Sequence, residues 1–194
     1  MTNEEVQLKD KIVRQAIQSV RKNKKVDVVS LVAISNELGV DFSEVTKYFN
    51  SMEDIFLDQQ KKDWKKTHKF LNKKMNAAKT VGDFKNIFDS FLGKFVDDLG
   101  PDADLHWEVC SFIPICLEFR EKNKQELTRK LKTIIKRGWP GKPADVLDRQ
   151  TDLCILSFFG FVDHIVHMHK TDRSKILKDF RNMLNLHLQD RLFF

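Results

Sequence analysis

Six side chains between Phe42 and Tyr48 offer the most suggestive chemistry in the chain. Ser43, Glu44, Thr46, Lys47 and Tyr48 bring hydroxyl, carboxylate and ammonium groups into one short stretch, with Phe42 beside them. Such groups on an exposed helix can hydrogen-bond base edges in a DNA major groove, and Glu44 could accept from cytosine N4. Catalytic patterns are absent: there is no GxGxxG, P-loop, GxSxG or HExxH. His164 and His167, with Asp163 beside them, are spaced i, i+3 and could share a metal, but His169 falls on another side of a helix. Surface histidines explain the group as well, so the reading is no metal, no cofactor, no catalytic residues and no enzyme. Cys110, Cys116 and Cys154 lack any CxxC spacing and read as small buried apolar residues, with a redox-sensing thiol as the sharper alternative.

The local pattern explains how the polar stretch is held. Leu31, Ile34 and Leu38 repeat along one face of a short helix that Ser30 caps. Gly39 supplies the left-handed backbone of a tight turn, Val40 anchors that turn, and Asp41 caps a second helix. Val45 and Phe49 form its buried side, which leaves Phe42, Ser43, Glu44, Thr46, Lys47 and Tyr48 outward or beside the outward face. Ser51, with Asp54 three residues on, caps the next helix. The arrangement is a helix-turn-helix.

The segment from Ile12 to Leu57 resembles the DNA-binding domain of TetR-family (tetracycline-repressor-like) bacterial transcriptional regulators. An amphipathic first helix, Ser30-Leu31, Ile34, Leu38-Gly39-Val40, and Tyr48-Phe49-Asn50-Ser51 with Glu53 and Ile55 carry the likeness. The resemblance implies an all-α fold of about nine helices. Residues 1–52 would form the helix-turn-helix domain and 53–194 a regulatory and dimerisation domain, with 53–78 as connector. It further implies that Ser30 touches phosphate, that the basic edge at Arg21, Lys22, Lys24 and Lys25 lies near the DNA backbone, and that the last two helices pair with a second copy. An effector would sit in the regulatory half. Stretches at the matching places offer Phe88, Phe91, Phe95, Trp107, Cys110, Phe112, Ile113 and Phe159, a wall suited to an apolar or aromatic small molecule, although side chains at such spacing also build plain core.

Bulk properties agree with a helical, non-membrane chain. It has 194 residues, 41% hydrophobic and 32% charged, with seven Gly and four Pro, and valine-threonine alternation is almost missing. No run of eighteen apolar residues occurs and the first ten residues are polar and acidic, so neither a signal peptide nor an anchor is expected, and the cytoplasm is the expected location. The net charge of +6 permits a polyanionic partner without requiring one.

The remaining helices follow from apolar spacing. Helix one covers 4–22. Helix four covers 53–78, with Lys61, Lys62, Lys65, Lys66, Lys69, Lys73 and Lys74 on a face that reads as solvated. Residues 80–82 break the pattern and helix five covers 83–99. Helix six begins near Asp104 and contains Pro114, which should kink or break it near Cys110. Helix seven covers 121–137. Helix eight, 144–170, would be about 40 Å long; Gly160 within it implies another backbone close by. Helix nine covers 172–192. The surplus apolar surface of helices eight and nine, including Leu156, Phe158, Phe161, Ile165, Phe180, Leu184 and Leu188, suggests a homodimer interface.

The expected function is therefore a dimeric repressor that binds a pseudo-palindromic double-stranded operator and leaves it when a lipophilic effector binds. The alternative is a TetR-like protein that has lost operator reading and acts as a protein-binding co-regulator. Glu44 motivates it, as do Met52, where the family often has Lys, and a head with eight Lys/Arg against seven Asp/Glu in residues 1–50.

Overall fold

The computed structural model describes residues 2–99, 103–165 and 170–188; for 95–99, 103, 104, 107, 170, 171, 173 and 185 the backbone alone is described. Within these limits every regular element is an α-helix: α1 (Asn3–Asn23), α2 (Leu31–Leu38), α3 (Phe42–Thr46), α4 (Met52–Ala77), α5 (Val81–Leu99), α6 (Ala103–Phe112), α7 (Pro114–Gly138), α8 (Ala144–Ile165) and α9 (Lys170–Leu188). The all-α expectation holds.

Residues divide into two compact units. The first comprises residues 1–65 and 104–123, the second 66–103 and 124–194. The first is thus larger than the expected head of 1–52, because the start of α4, α6 and the start of α7 belong to it. Its core joins Ile12, Val13, Ala16 and Val20 of α1 to Leu31, Ile34, Val45, Phe49, Ile55 and Phe56, and Val109, Ile113 and Cys116 complete it.

Helix ends follow local chemistry. Thr2 and Glu5 form a capping box on α1, with the Thr2 amide donating to Glu5 Oε2 at 2.7 Å and the Glu5 amide to Thr2 Oγ1 at 3.3 Å. Lys24 ends that helix in the left-handed region, φ 55°. At α5, Asp83 accepts from the amides of Lys79 and Thr80 at 2.9 and 2.8 Å while its own amide donates to Thr80 Oγ1 at 3.1 Å. This cap draws Val81 and Gly82 into the first turn, so the expected break is a helix start.

Pro114 also acts one step differently from expectation. The break falls at Ile113 rather than near Cys110, and Pro114 is the first residue of α7, where a missing N–H costs nothing and the fixed φ suits a helix. No breaker follows, so α7 runs unbroken through the residues expected to separate two helices. Leu127, Leu131, Ile134 and Ile135 on it are fully buried.

In the second unit, Phe88, Phe91 and Leu92 of α5 pack with Phe158 of α8, and Trp139 meets Phe88 edge-on at 6.1 Å between centroids. The close approach expected at Gly160 does not occur: a Cβ there would meet nothing within 4 Å, and nothing in the structure explains that glycine. It occurs at Gly93, where a Cβ would lie 2.0 Å from Nη2 of Arg181 on α9. The described part of α8 has 22 residues, so about 33 Å at the helical rise.

All three cysteines are buried. Burial raises the Cys110 thiol above its ordinary range and pushes Cys116 and Cys154 up to about 12. Reactive thiolate is therefore disfavoured. A native-state disulfide-exchange titration is expected to show no fast-reacting thiol, with all three reacting once the chain is denatured.

Candidate nucleic-acid interface

The turn between α2 and α3 is built as its residue types require. Ser30 Oγ accepts from the Ala33 amide at 3.1 Å, and the Ile34 amide donates to the Ser30 carbonyl at 3.0 Å. Gly39 has φ +65°, and the amides of Gly39 and Val40 close back on Asn36 and Ser35 at 3.2 and 3.1 Å. Asp41 Oδ1 accepts from the Ser43 amide at 2.8 Å. Hydrogen bonds from the Ser43 hydroxyl and amide hold the Asp41 carboxyl below the usual range. Val45 is fully buried and Phe49 nearly so.

α3 is shorter than expected. It ends at Thr46, and the chain tightens through Tyr48, whose amide donates to the Val45 carbonyl at 3.1 Å. Of the residues expected at a groove, Phe42, Ser43 and Lys47 are exposed, Glu44, Thr46 and Tyr48 are half-buried, and Ser30 is exposed. Tyr48 also packs against the core of the unit.

The polar groups on this surface are paired among themselves. Lys47 Nζ is ion-paired with Glu44, which raises the lysine pKa, the hydrogen bond being the main cause. The Thr46 hydroxyl donates to the Ser43 carbonyl at 3.1 Å. Met52, at the position where a lysine would add a phosphate contact, instead packs against the core. Sequence reasoning missed these local pairings, although Glu44 and Lys47 at i, i+3 gave a signal for one of them.

Two clamps fix α1 around the turn. Glu37 Oε2 accepts from Ser19 Oγ at 2.6 Å and Gln15 Nε2 at 2.7 Å, joining α1 to α2. Lys9 Nζ reaches Asp58 Oδ1 at 2.8 Å, and Lys62 Nζ bridges Asp10 Oδ1 at 2.9 Å and Asp58 Oδ2 at 3.1 Å, joining α1 to α4. Lys62 is thus committed to its own unit, while Lys61 is exposed.

The residues expected to line an effector site are distributed over both units. Phe88, Phe91 and Phe159 belong to the second, and Lys124 Nζ lies 4.7 Å above the Phe159 ring. Cys110, Phe112 and Ile113 belong to the first. Phe112 is 56% exposed, because Val109 and Ile113 occupy the inward face of that turn. The side chains of Phe95 and Trp107 lie outside the described residues.

The expected dimer residues also need correction. Phe158, Ile165, Phe180, Leu184 and Leu188 are buried within the chain itself, and Phe161 stacks on Phe180 at 3.8 Å. Leu156 is 70% exposed, and Leu153, Met183 and Leu186 are the other large apolar side chains exposed on α8 and α9 among the described residues. His164 is exposed; His167 and His169 lie outside the described residues. No group of three His, Cys, Asp or Glu among the described residues is placed to hold a metal. None of the described helices is long and apolar enough to cross a membrane.

No family model matches the chain, and no curated protein does. Among solved structures it is similar to the fatty acid degradation regulator FadR from Bacillus halodurans, with TM-score 0.65 and 17% identity over 100% of this chain and 97% of that one. The likeness is one of fold: an all-helical architecture shared with a bacterial regulator.

Asp58 gives the α1–α4 clamp a pH signature. Burial works to raise its pKa, yet hydrogen bonds from Lys9 and Lys62 outweigh burial and leave it lowered. A lowered folded-state pKa stabilises the fold above the ordinary aspartate range, and that contribution is lost as pH falls through the folded value. Asp58→Asn is expected to cost about 1 kcal/mol near neutral pH, a gap that closes in acid, read from urea unfolding of both proteins across the pH range.

Proposed function

We propose that the chain is a TetR-like transcriptional regulator, most simply a homodimeric repressor released from its operator by a small, largely apolar effector. The observation carrying this reading is the capped α2–turn–α3 geometry, with Phe42, Ser43 and Lys47 outward and Val45 and Phe49 buried beneath them. The fold likeness to a regulator supports it. Two α3 helices would enter successive major grooves with half-sites about 34 Å apart. Ser43, Glu44, Thr46, Lys47 and Tyr48 would face the bases with Phe42, and Ser30 would donate its hydroxyl proton to a phosphate, its oxygen remaining the helix cap. Effector and operator would each weaken the other's affinity, since coupling between sites is reciprocal.

Dimerisation is proposed through the outward apolar side chains of α8 and α9: Leu153, Leu156, Met183 and Leu186. Leu156→Glu is expected to weaken self-association by about a hundredfold, measured by sedimentation equilibrium, with the helical content of the chain unchanged.

The Glu44–Lys47 pair favours a second reading, a co-regulator that binds protein instead of DNA. Exposed pairs of this kind hold weakly and exchange readily, so an operator phosphate could take Lys47 from Glu44. Binding to DNA from the chain's own promoter region, measured across a salt series, separates the two readings. A sequence-preferring, salt-sensitive complex supports the repressor; none at low salt supports the co-regulator. For the repressor, Glu44→Gln is expected to tighten binding and steepen the slope of log affinity against log salt by about 0.9, one more phosphate neutralised.

A further inference from the structure

Within the first unit, α4, α6 and the start of α7 bring polar side chains together in an otherwise apolar interior. Gln60 is only 6% exposed and Cys110 3%. Gln60 Nε2 donates to Cys110 Sγ at 3.3 Å, and His106 Nε2 lies 3.9 Å from the same sulfur. Burial, with the positive charge of Arg120 adding to it and Asp63 opposing, lowers the His106 pKa to about 4, so the ring is neutral. The Cys110 thiol keeps its proton, because burial raises its pKa.

These states fix the direction of the hydrogen bonds. A neutral His106 with its proton on Nδ1 leaves Nε2 to accept from the Cys110 S–H. The sulfur then has only lone pairs to offer Gln60, so the amide nitrogen must point to it and the amide oxygen away. No protein group donates to that oxygen. An unmet acceptor in the interior opposes folding, and methionine would occupy nearly the same volume without one. Its retention calls for an external donor.

We propose that Gln60 Oε1, with His106 and Cys110 beside it, is the hydrogen-bonding end of a binding site for a neutral, mainly apolar small molecule carrying one hydroxyl or N–H donor. The proposal deepens the effector reading above and rests on it for its regulatory meaning. A carboxylate brings only acceptors and leaves Gln60 Oε1 unmet. An ammonium would be repelled by Arg120 and find no anion among Gln60, His106 and Cys110. An uncharged donor on an apolar body meets both the free oxygen and the apolar neighbours Val109 and Ile113, which are buried on α6 and at its end.

The test uses the full chain without DNA and three probes of one shape: β-naphthol, its methyl ether and β-naphthoate. Calorimetric titration is expected to rank β-naphthol tighter than both others by at least about tenfold. Gln60→Met is expected to abolish that preference, with a thermal midpoint equal to or above that of the parent. Equal affinity for naphthol and its ether, a preference for naphthoate, no binding of naphthol, or a preference surviving in Gln60→Met each overturns the site. The wild-type ranking decides the matter by itself if the variant fails to fold. Release of operator DNA by β-naphthol is scored separately: the predicted ranking without release upholds the site and counts against the effector reading alone.

Discussion

Pro114 has no amide hydrogen to give, and its ring excludes a helical residue before it. α6 therefore ends at Ile113, and the chain restarts as α7 with a change of direction. That one constraint lets Val109, Ile113 and Cys116 all reach the interior that α1, α2 and α3 leave open. The trihelical head does not close its own core. Side chains from a segment more than fifty residues downstream complete it, and the amide of Val26 donates to Glu108 at 3.4 Å on the same seam. Anything that displaced α6 would be felt directly beneath α2 and α3. Coupling between a regulatory half and a reading head needs such a shared element, and here it is a packed one, bistable or rigid but not freely deformable.

What could be read from the chain was what is encoded within a few residues. Ser30, Gly39, Asp41 and Ser51 each serve the role their type and spacing implied, because a cap or a left-handed turn is decided by neighbours in sequence. Apolar stripes on α5 and α7 likewise declared which face is inward. The failures share a cause. Phe158 and Leu184 were expected to face a second copy, yet apolar surplus on a helix cannot say which neighbour covers it, and α5 and α9 cover much of α8's. Gly160 and Gly93 are indistinguishable as mid-helix glycines; only the arrival of Arg181 from α9 separates them. The membership of α6 in the first unit was equally invisible, since no local pattern announces a partner so distant in the chain. Of the candidate interface, the residue set was legible but its internal pairing was not.

That pairing alters how the surface should be understood. Lys47 held by Glu44 contributes little net field to an approaching polyanion, and Lys62 is neutralised between Asp10 and Asp58. With eight basic against seven acidic residues in 1–50, long-range attraction is weak, so affinity must come from short-range contacts made after docking. A reader of this type trades fast, indiscriminate capture for lower background on nonspecific DNA. The trade is physically sound only if the exposed pair opens at small cost, which its partial exposure on both sides allows.

The two kinds of polar group in the first unit follow opposite logic for one reason, their access to water. Glu44 and Lys47 can be left by any partner and rehydrated at once, so they tune binding without storing energy. Gln60 cannot be rehydrated in that way. Its amide oxygen lies in an interior of low polarisability, where an unmet lone pair raises the energy of the whole unit. Such a group discriminates between molecules that meet it and those that do not far more sharply than any surface residue can, because the penalty for mismatch is never refunded by solvent. Selectivity for a small molecule therefore belongs in the interior of this unit. Selectivity for a nucleic acid belongs on its α3 surface, and the α6 segment packed between Gln60 and the head core is the physical link through which one could reach the other.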